Sequence, residues 1–228
     1  MYNVQLKSTQ GIGARQGVKA LVYGKAGMGK TTLCATAPNP MIISAEAGLL
    51  SLSRFNLPYA EVKTVQDLTN LHMWAMNSAE ARQFQTICLD SISEIAETVL
   101  TNAKIKAKDG RLAYGDMNEQ MINVIKAFRD LQGFNVLMTA KQEYVKDEQT
   151  GQMQNMPSMP GKTLTRDLPY FFDEVFKIDI GLMTDGSNRK FRYLLTQPDF
   201  SNDAKDRSGR LAPMEEPHLG KLFAKINS

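Results

Sequence analysis

At 228 residues and 25.4 kDa, the chain is long enough for one sizeable core and too short for more than one large or two small domains. Its 43% hydrophobic and 22% charged residues are close to the globular average, which excludes wholesale disorder, collagen-like repeats and extended coiled coil. A net charge of +3, from 27 Lys and Arg against 24 Asp and Glu, is weak for a nucleic-acid coat, so any DNA contact has to come from local patches. No apolar run approaches the roughly 18 residues of a membrane helix. The opening MYNVQLKSTQ lacks the charged-then-apolar layout of a signal peptide, so a cytoplasmic protein is expected. Cys34 and Cys88 sit in apolar segments without metal-site or disulfide spacing and read as core residues.

Strand-like runs alternate with helical periodicity along the chain, the layout of an α/β fold with a mostly parallel central sheet flanked by helices. Val18 to Tyr23 is the first strand and Met41 to Ser44 the second. Val65, Leu68, Leu71 and Ala75 then mark an amphipathic helix, in which Trp74 is expected only to pack. A strand over Thr86 to Asp90 is followed by Ile92, Ile95, Ala96, Val99, Leu100 and Ala103 at helical spacing. Met117, Met121, Val124, Ile125, Phe128 and Leu131 repeat that spacing. Asn135 to Thr139 is a buried strand, and Glu174 to Ile180 and Phe191 to Thr196 extend the sheet. Two segments break the pattern and read as irregular: Lys104 to Asp116 and Glu143 to Arg166.

Chemistry enters directly after the first strand. Gly24-Lys25-Ala26-Gly27-Met28-Gly29-Lys30-Thr31 fits G-x-x-x-x-G-K-[ST] between an apolar strand and a helical stretch that opens with Thr32. The glycines let backbone N–H groups turn inward around phosphate oxygens, and the helix start adds partial positive charge. Lys30 would bridge the β- and γ-phosphates of ATP, and Thr31 would hold Mg²⁺. Asp90, at the end of the buried run Thr86 to Leu89, supplies the second metal-positioning oxygen; its other reading is a cap on the helix beginning near Ser91. Glu46 lies just past the second strand, at the sheet edge where ligands gather, and is the candidate to activate water. Gln142 emerges on the same edge after the fourth strand and could sense the γ-phosphate.

A P-loop strand, a strand ending in Ala-Glu, an apolar strand ending in Asp-Ser and a strand ending near a Gln resemble the RecA-like recombinase core. GKAGMGKTTL, ISAEAGLLSL, TICLDSISE, VLMTAKQE, MPGKTLTRDLPYFFDEVFKI and AKDRSGRL look like the phage-encoded, RecA-like ATP-binding proteins of single-strand annealing and recombination. The resemblance covers residues 17 to 225. It implies one RecA-like domain over 1–228, ATP-dependent work on single-stranded DNA in the bacterial host cytoplasm, and a ring or filament with ATP between subunits. By motif Glu46 matches the catalytic glutamate, and Gln142 the glutamine that couples the γ-phosphate to a DNA loop.

The two irregular segments fall where such cores place their DNA loops, with Lys104, Lys106, Lys108, Arg111 and Tyr114 in one and Lys146, Lys162 and Arg166 in the other. Cations tracking a backbone beside an aromatic are what sequence-tolerant single-strand binding needs. Lys205 and Arg207 fall where such assemblies send cations into a neighbour's nucleotide site. Only about 17 residues precede the first core strand, so the separate polymerisation domain of larger recombinases is not expected. An annealing or loading role beside a single-strand-binding protein is expected instead of autonomous strand exchange. Two other readings stay open: a regulatory or assembly ATPase that never touches DNA, and a small-molecule kinase, for which the 143–166 segment makes a poor lid.

Overall fold

The computed structural model describes residues 8, 16–45, 49–146, 151–183 and 187–228. Strands β1 (Lys19–Tyr23), β2 (Pro40–Ser44), β3 (Tyr59–Glu61), β4 (Thr86–Leu89), β5 (Asn135–Lys146) and β7 (Glu174–Leu182) form a parallel array in the order β7-β1-β5-β4-β2-β3. Beyond β7 the sheet continues antiparallel through β8 (Lys190–Leu195) and β10 (Met214–Glu215). β9 (Lys205–Asp206) pairs with the start of β7, and β6 (Met153–Ser158) pairs with the outer half of β5. The fold is α/β with a mostly parallel central sheet flanked by helices, as the alternation in the sequence predicts.

Burial alternates along β1. Leu21 and Tyr23 enter one core, while Ala20 and Val22 enter the other. The first core is covered by α2 (Val65–Asn77), α3 (Ile92–Lys106) and α4 (Gly110–Arg129). The second is covered by α1 (Lys30–Cys34), the 3₁₀ turn Leu49–Phe55 through Leu52, and α6 (Leu219–Asn227). Caps set the helix starts: Thr64 and Asp67 form a capping box on α2, Ser91 accepts from Glu94 N on α3, and Asp109 accepts from Arg111 N on α4. Cys34 and Cys88 are buried free thiols; contact with Cys88 and burial push the Cys34 thiol up, which keeps it protonated.

Among the described residues, both segments expected to be irregular are mostly helix or strand. Residues 104–116 are the end of α3, a short connection over 107–109 and the start of α4. The Asp109-Gly110 pair that looks like a break is the α4 cap and first residue. Residues 143–166 hold the outer half of β5, its return strand β6, and α5 (Lys162–Asp167).

The course of α4 decides which edge of the sheet these segments share. Its first turns lie beside Gly161, where an added Cβ would stand 3.7 Å from Tyr114 Cδ1. Its far end leads to Leu131, whose carbonyl accepts from Lys19 Nζ at 2.7 Å at the start of β1. Helix α4 therefore runs against the parallel strands, and the α3–α4 connection projects at their carboxyl edge.

Candidate nucleotide site

Residues 24–29 form the loop at the carboxyl end of β1 and lead into α1 at Lys30. Gly27 and Gly29 have φ of 77° and 97°, a region that a β-carbon disfavours, so glycine is needed where the chain turns its N–H groups inward. Gly24 is tight for a different reason: a Cβ there would stand 2.6 Å from Ile178 Cγ2 and 2.8 Å from Ile178 O on β7. Helix α1 is only five residues long, so the loop's own amides, more than a macrodipole, make the cradle attractive to anions. Lys30 Nζ folds back over the loop and donates to Gly24 O at 2.8 Å and Lys25 O at 3.1 Å.

The loop opens into a cavity of about 850 Å³. It takes in Gly24, Lys25, Ala26, Gly27, Gly29 and Lys30, with Thr31, Thr32, Asp90 and Gln142 among its walls. That size suits a nucleoside triphosphate, since small-molecule sites typically span ~300–1,000 Å³. Asp90 is 6% exposed and follows directly on β4. Its Oδ1 accepts a short hydrogen bond from Thr139 Oγ1 on β5, while the cap on α3 is Ser91. Asp90 is thus held by a neighbouring strand and does not serve as the cap. A threonine hydroxyl and a fixed carboxylate, both hard oxygen donors, fit Mg²⁺.

Gln142 Nε2 donates to Asn155 Oδ1 at 2.5 Å, and Asn155 Nδ2 donates to Asn202 Oδ1 at 2.9 Å and Ser201 O at 3.0 Å. The cavity wall is thereby connected to the β5–β6 hairpin and the turn after β8. At the root of the loop, the Tyr23 hydroxyl, 2.9 Å from Asn155 O and 2.5 Å from Asp203 O, ties β1 to the same hairpin and the same turn. Burial and the nearby Asp203 push this phenol well above its ordinary value, so it remains a donor.

Four further charged residues line the cavity to which the sequence assigns no role, although the stretches TICLDSISE and VLMTAKQE contain two of them. Glu94 and Lys141 form an ion pair on the wall beside Asp90 and Gln142, and Arg54 and Arg192 approach from the 3₁₀ turn and from β8. They come from strands and turns far apart in the chain, so only the folded sheet collects them. Glu46 lies outside the described residues.

Lys104, Lys106, Lys108, Arg111 and Tyr114 are exposed around the α3–α4 connection, with Lys104 Nζ 5.4 Å from the Tyr114 ring centre. Lys146, Lys162 and Arg166 line a second cavity of about 410 Å³ with Tyr144. Lys205 and Arg207 lie at the opposite, amino edge of the sheet. There Lys205 Nζ donates to Pro169 O at 2.6 Å and Arg207 pairs with Asp173 at 2.9 Å, so neither lines this chain's own cavity.

The AAA domain family matches residues 16–208. The chain belongs to that family, and with it to the nucleotide-binding P-loop ATPases. No curated protein matches it. Among solved structures it is similar to a KaiC-like protein from the hyperthermophilic archaeon Pyrococcus horikoshii OT3, at 15% identity and a TM-score of 0.46, over 83% of this chain and 84% of that one. No helix among the described residues is long and apolar enough to cross a membrane.

Proposed function

We propose that this P-loop ATPase hydrolyses Mg²⁺-bound ATP slowly and acts on single-stranded DNA, which stimulates turnover, in phage recombination or annealing. In this reading Lys30 leaves its two carbonyl partners for the β- and γ-phosphates, Thr31 and Asp90 position Mg²⁺, and Gln142 reports the γ-phosphate through Asn155. Glu46 is retained as the group that activates water. Mg²⁺ would supply charge neutralisation on the phosphate oxygens.

The DNA part of the proposal rests chiefly on one observation. The two basic segments, separated in sequence by the rest of α4 and the inner half of β5, meet where Tyr114 lies against Gly161, at the same sheet edge as the phosphate loop. Lys104, Lys106, Lys108, Arg111 and Lys162 are all exposed there and would offer cations to a phosphate backbone, with Tyr114 beside Lys104. Lys205 and Arg207 would serve a neighbour's site only in a ring or filament, and each would first have to release its present partner.

The deciding experiment is ATP turnover at low and moderate salt, with and without single-stranded DNA. Stimulation by DNA is expected. Turnover indifferent to DNA would leave the nucleotide site standing and favour an ATP-driven regulatory or assembly protein.

A further inference from the structure

The inference drawn here rests on the cavity being the nucleotide site and concerns a residue that no motif marks. Of the other cations on the cavity wall, Lys25 and Lys30 belong to the phosphate loop itself, where Lys30 donates to the loop's own carbonyls, Lys141 pairs with Glu94, and the Arg54 guanidinium lies 4.7 Å from the centre of the Phe55 ring. Arg192 differs from these. It projects from β8 against the loop, where a Cβ on Gly29 would stand 3.6 Å from its Nε and 3.8 Å from its Cδ.

Its placement is fixed by the sheet. Arg192 faces Ile180 in the antiparallel β7–β8 register, one pair along from Asp179 and Tyr193. Asp179, the nearby acid on β7, is already engaged by Lys177 Nζ and by Ile180 N at 2.9 Å. Among the described residues Arg192 therefore has no ion-pair partner, although it lies beside an anion-shaped loop.

The strand order adds direction. Asp90 and Gln142 reach the cavity from β4 and β5, on one side of β1, whereas β7 and β8 lie on the other. We propose that Arg192 is a phosphate-binding residue supplied in cis, which closes the cradle from the side opposite Asp90 and Gln142 and pairs with the phosphate chain of a nucleoside di- or triphosphate. A guanidinium suits this position because it stays charged and offers a planar fork of donors that matches phosphate oxygens two at a time. Lysine in its place would keep the charge and lose the fork.

The test is equilibrium binding of ATP, ADP and AMP, each with Mg²⁺, to the wild type, Lys30→Ala, Arg192→Ala, Arg192→Lys and Arg210→Ala. Arg210 is exposed and absent from the cavity wall, so its variant controls for loss of one surface charge. Arg192→Ala is expected to weaken ATP and ADP by roughly 10- to 100-fold, the scale of a lost hydrogen bond to a charged group. AMP should be affected much less, Arg192→Lys should fall between, and Arg210→Ala should match the wild type. If Arg192→Ala binds ATP like the wild type while Lys30→Ala does not, the role of Arg192 is overturned and the nucleotide site stands. An equal loss for AMP and ATP also overturns it, because that pattern belongs to base stacking. A wild type that binds no nucleotide overturns the site itself, and this inference with it.

Discussion

Lys30 donates to two carbonyls of its own loop, one bond part-buried and the other exposed. Lys30→Ala should therefore remove nucleotide binding and turnover while moving the melting temperature little, which a thermal melt beside a binding titration would check. Thr139 is a different case, since its hydroxyl is fully buried and aimed at Asp90. Thr139→Val keeps the shape and deletes the donor, leaving a buried carboxylate short of one partner. A loss of about 1–3 kcal/mol in urea denaturation is expected, together with a higher Mg²⁺ requirement for turnover. Unchanged Mg²⁺ dependence would argue against Asp90 as the metal-positioning carboxylate. At this scale the loop was legible because its eight residues are contiguous and its glycines have a backbone reason. Arg192, Arg54 and the Glu94–Lys141 pair were not, because their proximity exists only once β8, the 3₁₀ turn, α3 and β5 have converged.

At the scale of elements, the α3–α4 hairpin carries the next prediction. Replacing Lys104, Lys106 and Lys108 with alanine should weaken single-strand binding and make the dependence of log K on log salt shallower by about 2, three contacts at roughly 0.7 each. Alanine is a strong helix former at Lys104 and Lys106 in the last turn of α3, and all three positions are exposed, so the fold should tolerate the change. An unaltered salt slope would remove this hairpin from the DNA surface. In sequence the cations at the end of α3 and the Asp109-Gly110 pair resemble a loop, whereas in the fold they are a charged last turn followed by a cap. The β5–β6 hairpin escaped notice because its residues are mostly exposed or half-buried and so lack the continuous apolar run that revealed the inner half of β5. Strands β9 and β10, two residues each, are too short to leave any period. The central strands were legible because burial on both faces demands unbroken apolar sequence.

For the whole molecule, two buried charges at the amino edge of the sheet set opposing pH dependences. Glu174 is 1% exposed, faces Asp206 across the β7–β9 pair, and its Oε2 has no hydrogen-bond partner among the described residues. Burial and the Asp206 carboxylate raise its pKa from 4.5 to about 8. The folded state then holds a proton that the unfolded chain has released, so stability falls as pH rises from about 4.5 to about 8 and levels off above. Lys19 behaves oppositely: burial lowers its pKa from 10.5 to about 8, so its penalty is relieved between about pH 8 and 10.5. Together the two groups contribute least near pH 8. Glu174→Gln, whose amide can donate to Asp206 in place of the acid proton, should match the wild type at pH 4.5 and exceed it in denaturation midpoint at pH 8. Parallel pH profiles for the two proteins would show that Glu174 ionises as freely in the folded state as in the unfolded chain.

The phosphate loop hangs from a strand whose partners are distant in the chain. Lys19 pairs with Val136 and Ala20 with Glu174, and Gly24 is pressed against Ile178. A growing polypeptide therefore displays the complete G-x-x-x-x-G-K-[ST] sequence early in its synthesis, yet cannot shape the loop until β7 has been made. Such non-local closure slows folding, and at ~5–20 residues added per second the interval lasts many seconds. ATP can stabilise the finished domain but has no shaped loop to bind before then, and β1 stays without its strand partners until β5 and β7 emerge.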